Sequence, residues 1–174
     1  MQLGFYFNQT RCVGCFTCAV ACKDWHDIPA GPAHWLKVHC VEEGMFPHPV
    51  VAYHIRPCYH CEDPACAGAC PNEAMIWDED GVVRRNPFRC TGCRSCVLAC
   101  PFGVLSRGMK LGLFPMGKCD LCTSRLEEGK EPACVATCPT GAIIFKEANE
   151  VYAGKDEMVL GSHTVGYRTY IRRM

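Results

Sequence analysis

Apolar positions along this chain come in short bursts rather than long runs. The stretch LGFYF at residues 3–7 predicts a β-strand, and AIIF at 142–145 predicts another. Between them, AMIW at 74–77 and VVRR at 82–85 predict two strands joined by the acidic turn Asp78-Glu79-Asp80-Gly81, and VGYRTYI at 165–171 is strand-like as well. Glycine, proline, charge or cysteine breaks every apolar run below the roughly 18–20 residues a membrane span needs, so no direct membrane span is expected. The segment 23–57, rich in Trp, His and Pro, reads as a lid of loop and strand in which Trp25, His26, Pro29 and Trp35 are candidate partner contacts. The stretch 101–118, with Met109, Leu111, Leu113, Phe114 and Met116, reads either as cover over a buried site or as a docking patch.

Charge and composition narrow the classes. Eighteen basic residues balance eighteen acidic ones, which argues against a basic nucleic-acid-binding domain. The hydrophobic share of 49% counts 17 cysteines among the 174 residues. Without them about two fifths of the chain is apolar, modest for a self-sufficient core. Something besides side-chain burial is therefore expected to hold the fold together. Such a cysteine share marks a disulfide scaffold or a metal protein. The opening MQLGFYFNQTRC has neither a basic leader nor a small-residue cleavage site, which weakens the disulfide reading. It points to the cytoplasm, with export alongside a signal-bearing partner as the alternative.

Sixteen of the cysteines fall into four quartets: Cys12, Cys15, Cys18, Cys22; Cys58, Cys61, Cys66, Cys70; Cys90, Cys93, Cys96, Cys100; and Cys119, Cys122, Cys134, Cys138. The first and third read C-x2-C-x2-C-x3-C, the run in which three thiolates wrap one iron–sulfur cube while the fourth reaches a neighbouring cluster. The second and fourth read C-x2-C, a gap of four or eleven residues, then C-x3-C-P. Zinc is the competing reading, because structural zinc sites pair two C-x2-C knuckles across a dozen or more residues. Only the fourth quartet resembles that arrangement.

The quartets are internally duplicated. RCVGCFTCAVAC at 11–22 and RCTGCRSCVLAC at 89–100 agree at seven of twelve positions, and DPACAGACPNEAMIW at 63–77 aligns with EPACVATCPTGAIIF at 131–145. Quartets two and three, with the strands between them, resemble a bacterial two-cluster ferredoxin. Quartets one and four supply the same halves in swapped order, so one ferredoxin-like module is expected inside another. The expected fold class is α+β, with short strands, short helices and long loops. Residues 1–53 plus 108–150 form the outer module, 54–107 the inner one, and 151–174 a tail, ending in Arg172 and Arg173, that straps onto a partner or frays.

If the swapped fourth-ligand rule of two-cluster ferredoxins holds, four [4Fe-4S] cofactors are bound. Site 1 takes Cys12, Cys15, Cys18 and Cys138, and site 2 takes Cys58, Cys61, Cys66 and Cys100. Site 3 takes Cys90, Cys93, Cys96 and Cys70, and site 4 takes Cys119, Cys122, Cys134 and Cys22. Gly14 and Gly92 sit where the loops fold tightly, and Pro71, Pro101 and Pro139 each follow a fourth cysteine. Cys22 is followed instead by Lys23, a departure with no energetic reading from sequence. The leftover Cys40 reads as a small buried hydrophobe, and His60 as a packed or solvent-facing histidine or a hydrogen-bond donor to a cluster sulfur.

No phosphate loop, flavin or nucleotide fingerprint or histidine-containing zinc motif is present, so no catalytic residue is assigned and the chain is not expected to be an enzyme alone. With CKDWHDIPAG after the first quartet and KCDLC…EPACVATCP in the fourth, the chain resembles the DMSO reductase iron–sulfur subunit family. That resemblance implies electron relay between a large molybdenum- or tungsten-pterin catalytic subunit and a flavin-containing, ferredoxin or quinone-linked partner. It includes small polyferredoxin subunits of tungsten aldehyde oxidoreductases. The alternatives are a polyferredoxin wire of a hydrogenase or formate dehydrogenase assembly, self-associating in repeated copies, and a zinc-stabilised interaction scaffold.

Overall fold

A computed structural model describes residues 3–61, 63–77, 81–107 and 116–147. Asp78, Glu79 and Asp80 of the acidic turn, the patch residues Met109, Leu111, Leu113 and Phe114, and the tail 151–174 lie outside the described residues. The fold is a small mixed one, built from four two-stranded antiparallel sheets, five short α-helices and one 3-10 turn (Gln9–Arg11) among the described residues.

β1 (Leu3–Phe7) pairs with β8 (Ile143–Glu147), from Leu3 opposite Glu147 to Phe7 opposite Ile143. The strand before the first quartet therefore lies against the strand after the fourth. Phe5, Phe7 and Ile143 are buried there, and the Phe5 and Phe145 rings lie 5.0 Å apart. β4 (Met75–Trp77) and β5 (Val83–Arg85) form the hairpin expected between quartets two and three. β2 (Lys37–Glu43) and β3 (Val50–Arg56) make a seven-residue ribbon where sequence shows a lid of loop and strand. The boundary drawn after residue 53 falls inside β3. β6 (Ser106–Arg107) pairs with β7 (Met116–Gly117) across the 101–118 stretch.

The helices are α1 (Thr17–Trp25), α2 (Ala65–Gly68), α3 (Ser95–Ala99), α4 (Thr123–Glu127) and α5 (Ala133–Ala136). Each carries cysteines or sits beside them. α2 and α5, from the duplicated C-P halves, both start behind a proline, Pro64 and Pro132, whose missing N–H costs nothing at a helix start. α1 packs on α5, and α2 on α3. The eleven-residue gap of the fourth quartet is more than a longer loop, because it folds into α4. The Arg125 guanidinium of α4 lies 4.6 Å from the centre of the Trp25 ring and donates to the Glu131 carbonyl at 2.7 Å.

The core confirms the shortage of apolar residues. Phe5, Leu36, Ile55, Val83, Val104 and Met116 share it with six buried cysteines, Cys22, Cys58, Cys96, Cys119, Cys122 and Cys134. Cys40 departs from expectation: it is exposed on β2 opposite Tyr53, because the end of β2 from Cys40 to Glu43 is exposed on both faces.

Candidate metal centres

The first C-x2-C turn of each quartet shares one backbone feature. The residue just before the second cysteine is left-handed in each: Gly14 (φ 65°), His60 (φ 45°), Gly92 (φ 73°) and Leu121 (φ 62°). Non-glycine residues adopt this conformation rarely and at a cost, so its recurrence at His60 and Leu121 marks loops held by a common purpose. In the first and third quartets the two cysteines of this turn line one cleft.

The sulfurs then gather across quartet boundaries. Cys12, Cys15, Cys18 and Cys138 line one cleft, walled by Phe7, Val38, Ile55 and Ile143. Cys138 acts electrostatically on Cys12, Cys15 and Cys18 alike. A second cleft is lined by Cys70, Cys90, Cys93 and Cys96, with Met75 and Met116 in its wall. Cys58 and Cys100 are charge neighbours of Cys61 and Cys66. Cys22 is a neighbour of Cys122, Cys119 and Cys134. In each grouping three thiols of one quartet meet the last thiol of another.

Such groupings are hostile to bare thiolates. Burial pushes the Cys18 thiol up to about 11 and Cys22 up to about 12, with neighbouring cysteines adding to the rise. Cys119 and Cys134 are driven well above the ordinary range, again chiefly by burial. A cationic metal centre reverses that cost, since it deprotonates the thiols that coordinate it.

Hydrogen-bond donors reach several sulfurs. The Ala74 amide donates to Cys70 Sγ at 3.2 Å and the Ala142 amide to Cys138 Sγ at 3.3 Å, the same bond in the two C-P halves. The Thr17 hydroxyl donates to Cys15 Sγ at 3.3 Å, and Ser95 Oγ lies 3.4 Å from Cys93 Sγ. These hydroxyls hold both exposed thiols below the usual range. Four soft sulfur donors around a largely apolar cleft, with amides aimed at the sulfurs, fit iron–sulfur clusters.

His26 and Trp35 turn inward, while Trp25 and Pro29 stay exposed. His26 Nε2 lies 3.4 Å from Cys122 Sγ and 3.5 Å from Asp120 Oδ1, and its ring sits 4.4 Å from that of Trp35. Burial holds its imidazole below the ordinary range, against the pull of Asp120. Sequence reasoning took His26 for a partner contact, because nothing in its spacing ties it to the fourth quartet. His60 is the packed histidine of the three readings: it is buried and its Nδ1 accepts the Val83 amide at 3.0 Å.

Residues 49–148 match the family described as 4Fe-4S dicluster domain. The match holds quartets two, three and four. Among curated proteins, this protein is 40% identical over 162 residues to an anaerobic dimethyl sulfoxide reductase subunit of Escherichia coli K12, covering 86% of this sequence and 76% of that one. It is 39% identical over 163 residues, with the same coverage, to the probable anaerobic dimethyl sulfoxide reductase protein YnfG of that strain. The thiosulfate reductase electron transfer subunit PhsB of Salmonella typhi is 37% identical over 145 residues, covering 82% of this sequence and 74% of that one.

Proposed function

The chain belongs to the 4Fe-4S dicluster domain family, and from that membership we propose that it is the electron-transfer subunit of a molybdenum-pterin reductase complex of the dimethyl sulfoxide or thiosulfate reductase type. It is not catalytic alone. The observation that carries the reading is the gathering of four thiols from two quartets around one cleft, seen for Cys12, Cys15, Cys18 with Cys138 and for Cys90, Cys93, Cys96 with Cys70. Bound at such sites, [4Fe-4S] clusters supply one-electron chemistry.

The ligand sets we propose are sites 1 to 4 as named above, four clusters in all, held by two nested modules. The β1–β8 pairing with α1 on α5 supports the outer module, and the β4–β5 hairpin with α2 on α3 supports the inner one. Charge neighbours across sites support an order for them. Cys18 of site 1 acts on Cys134 of site 4, Cys58 of site 2 acts on Cys119 of site 4, and sites 2 and 3 exchange their fourth ligands. The order we propose is 1, 4, 2, 3. Exposed Cys15 and Cys93 fall in the two end sites, where partner redox centres approach, while site 4 is wholly buried.

A large pterin catalytic subunit is the proposed partner at one end and a flavin-containing, ferredoxin or quinone-linked carrier at the other. The cytoplasm is the proposed compartment, since thiols in this number persist where the medium keeps them reduced. No helix among the described residues is long and apolar enough to cross a membrane. Anaerobic affinity purification from the native host, with Fe, Mo, W, Ni and Zn determined, tests the reading. Iron with molybdenum in a large co-eluting subunit supports it, and tungsten there shifts it to a tungsten aldehyde oxidoreductase complex. Nickel indicates a hydrogenase wire, and zinc in place of iron overturns it.

A further inference from the structure

Helix α1 brings two groups to the fourth quartet. Cys22 is buried in its last turns, and His26 follows four residues later, on the same side of the helix. The His26 amide donates to the Cys22 carbonyl at 3.3 Å, which fixes the backbone at the helix end. The His26 side chain is only 9% exposed. Trp35 lies against its ring, 4.4 Å between centres, and the same indole covers Gly117, two residues ahead of Cys119, so closely that a Cβ there would collide. The imidazole is thereby wedged with Nε2 3.4 Å from Cys122 Sγ. Two acceptors face that nitrogen, and geometry separates them. Asp120 Oδ1 lies 3.5 Å away, at the outer limit for a bond to oxygen, and already accepts the Cys122 amide at 2.8 Å. Sulfur is the larger atom, so 3.4 Å to it is the closer approach.

We propose that His26 is a hydrogen-bond donor to Cys122 Sγ that raises the midpoint potential of the cluster at site 4, held by Cys119, Cys122, Cys134 and Cys22. The inference rests on the ligand assignment above. A metal-bound thiolate and a carboxylate accept hydrogen bonds and cannot donate them, so Nε2 carries the hydrogen whether the ring is neutral or charged. The ligand sulfur gains electron density on reduction, and an N–H aimed at it favours the reduced form. The hydroxyls at Cys15 and Cys93 reach exposed sulfurs, where water competes with them. His26 reaches a buried one, where a hydrogen bond carries more weight. All four cysteines of site 4 are buried, so its potential is set by this chain's own groups rather than by a docked partner. His26 acts through Cys122 and is a positioning residue.

The test is an anaerobic redox titration of the full-length chain, followed by electron paramagnetic resonance, in the wild type, His26→Phe and His26→Gln, with iron counted in each. The wild-type iron count tests the ligand assignment separately from the role of the histidine. Phenylalanine keeps a ring against Trp35 without the donor, and glutamine keeps an N–H donor. In His26→Phe one midpoint potential should fall at full iron while the other three stay, and His26→Gln should restore most of the fall. The signal that shifts should be the one that Cys22→Ser removes. Full iron with all four potentials unmoved overturns the proposal, as does an equal fall in both variants or a shift confined to a signal that survives Cys22→Ser. If His26→Phe loses iron, His26→Gln decides the matter: full iron with potentials near the wild type supports the donor role, and equal iron loss overturns it in favour of packing.

Discussion

The two copies of the cysteine run, residues 11–22 and 89–100, begin alike and end differently. Both carry a left-handed glycine, Gly14 and Gly92, and a left-handed residue before the helix, Phe16 and Arg94. In both, a hydroxyl two residues beyond the second cysteine meets its sulfur. Then they part. α3 stops at Ala99, and Cys100 is extended (φ −75°, ψ 112°) ahead of Pro101, as a residue before proline must be. Where Pro101 stands in one copy, Lys23 stands in the other, and α1 continues through Cys22 to Trp25. The extra turn brings Trp25 to Arg125 and His26 to Cys122, while Lys23 Nζ donates to the Gly31 carbonyl at 2.8 Å. One residue after the fourth cysteine thus decides whether the run ends at its cluster or reaches across to a second site.

Substituting the fourth cysteine of each run tests the difference most severely. Cys22→Ser should lose about four of about sixteen irons and strongly destabilise the outer module, because metal binding and folding are coupled. Cys100→Ser should lose as much iron with a smaller drop in melting temperature, since Cys100 is only half-buried and Cys22 is buried. Equal drops would remove the contrast. Next in size, Lys23→Pro makes the first run end like the third. It should cost about 3 kcal/mol in chemical denaturation by breaking α1, and should pull Trp25 from Arg125 and His26 from Cys122.

Smaller effects sharpen the comparison within the turns. Gly92→Ala should cost about 1–2 kcal/mol, the penalty of a Cβ at a left-handed position, in chemical denaturation. Gly14→Ala should cost more, because its Cβ would also run into the Tyr53 ring of β3. Smallest of all, Thr17→Val and Ser95→Ala should each leave iron content intact and lower one end-cluster potential by removing a hydrogen bond to sulfur. Potentials unchanged in both variants would show that these hydroxyls do not tune the clusters.

Much of this was legible from residue spacing. β1, β4, β5 and β8 lie where short apolar bursts place them, since a strand between cysteines needs only three to five alternating residues. Gly14 and Gly92 announced their turns because glycine is the residue that tolerates them. His60 and Leu121 make the same turn without that mark, so only the backbone revealed them. The β2–β3 ribbon was obscured by its Trp, His and Pro neighbours, and α4 because Leu126 is its only apolar residue. His26 was legible only as a partner contact, because its approach to Cys122 depends on which segments converge on it and not on its own neighbours in the chain.

The central claim is that sixteen cysteines hold four [4Fe-4S] clusters. Iron, acid-labile sulfide and zinc, determined together on the anaerobically purified full chain, test it most directly. The account predicts about sixteen irons and as many sulfides per chain, with negligible zinc. About eight irons, or zinc at the fourth quartet, would contradict it.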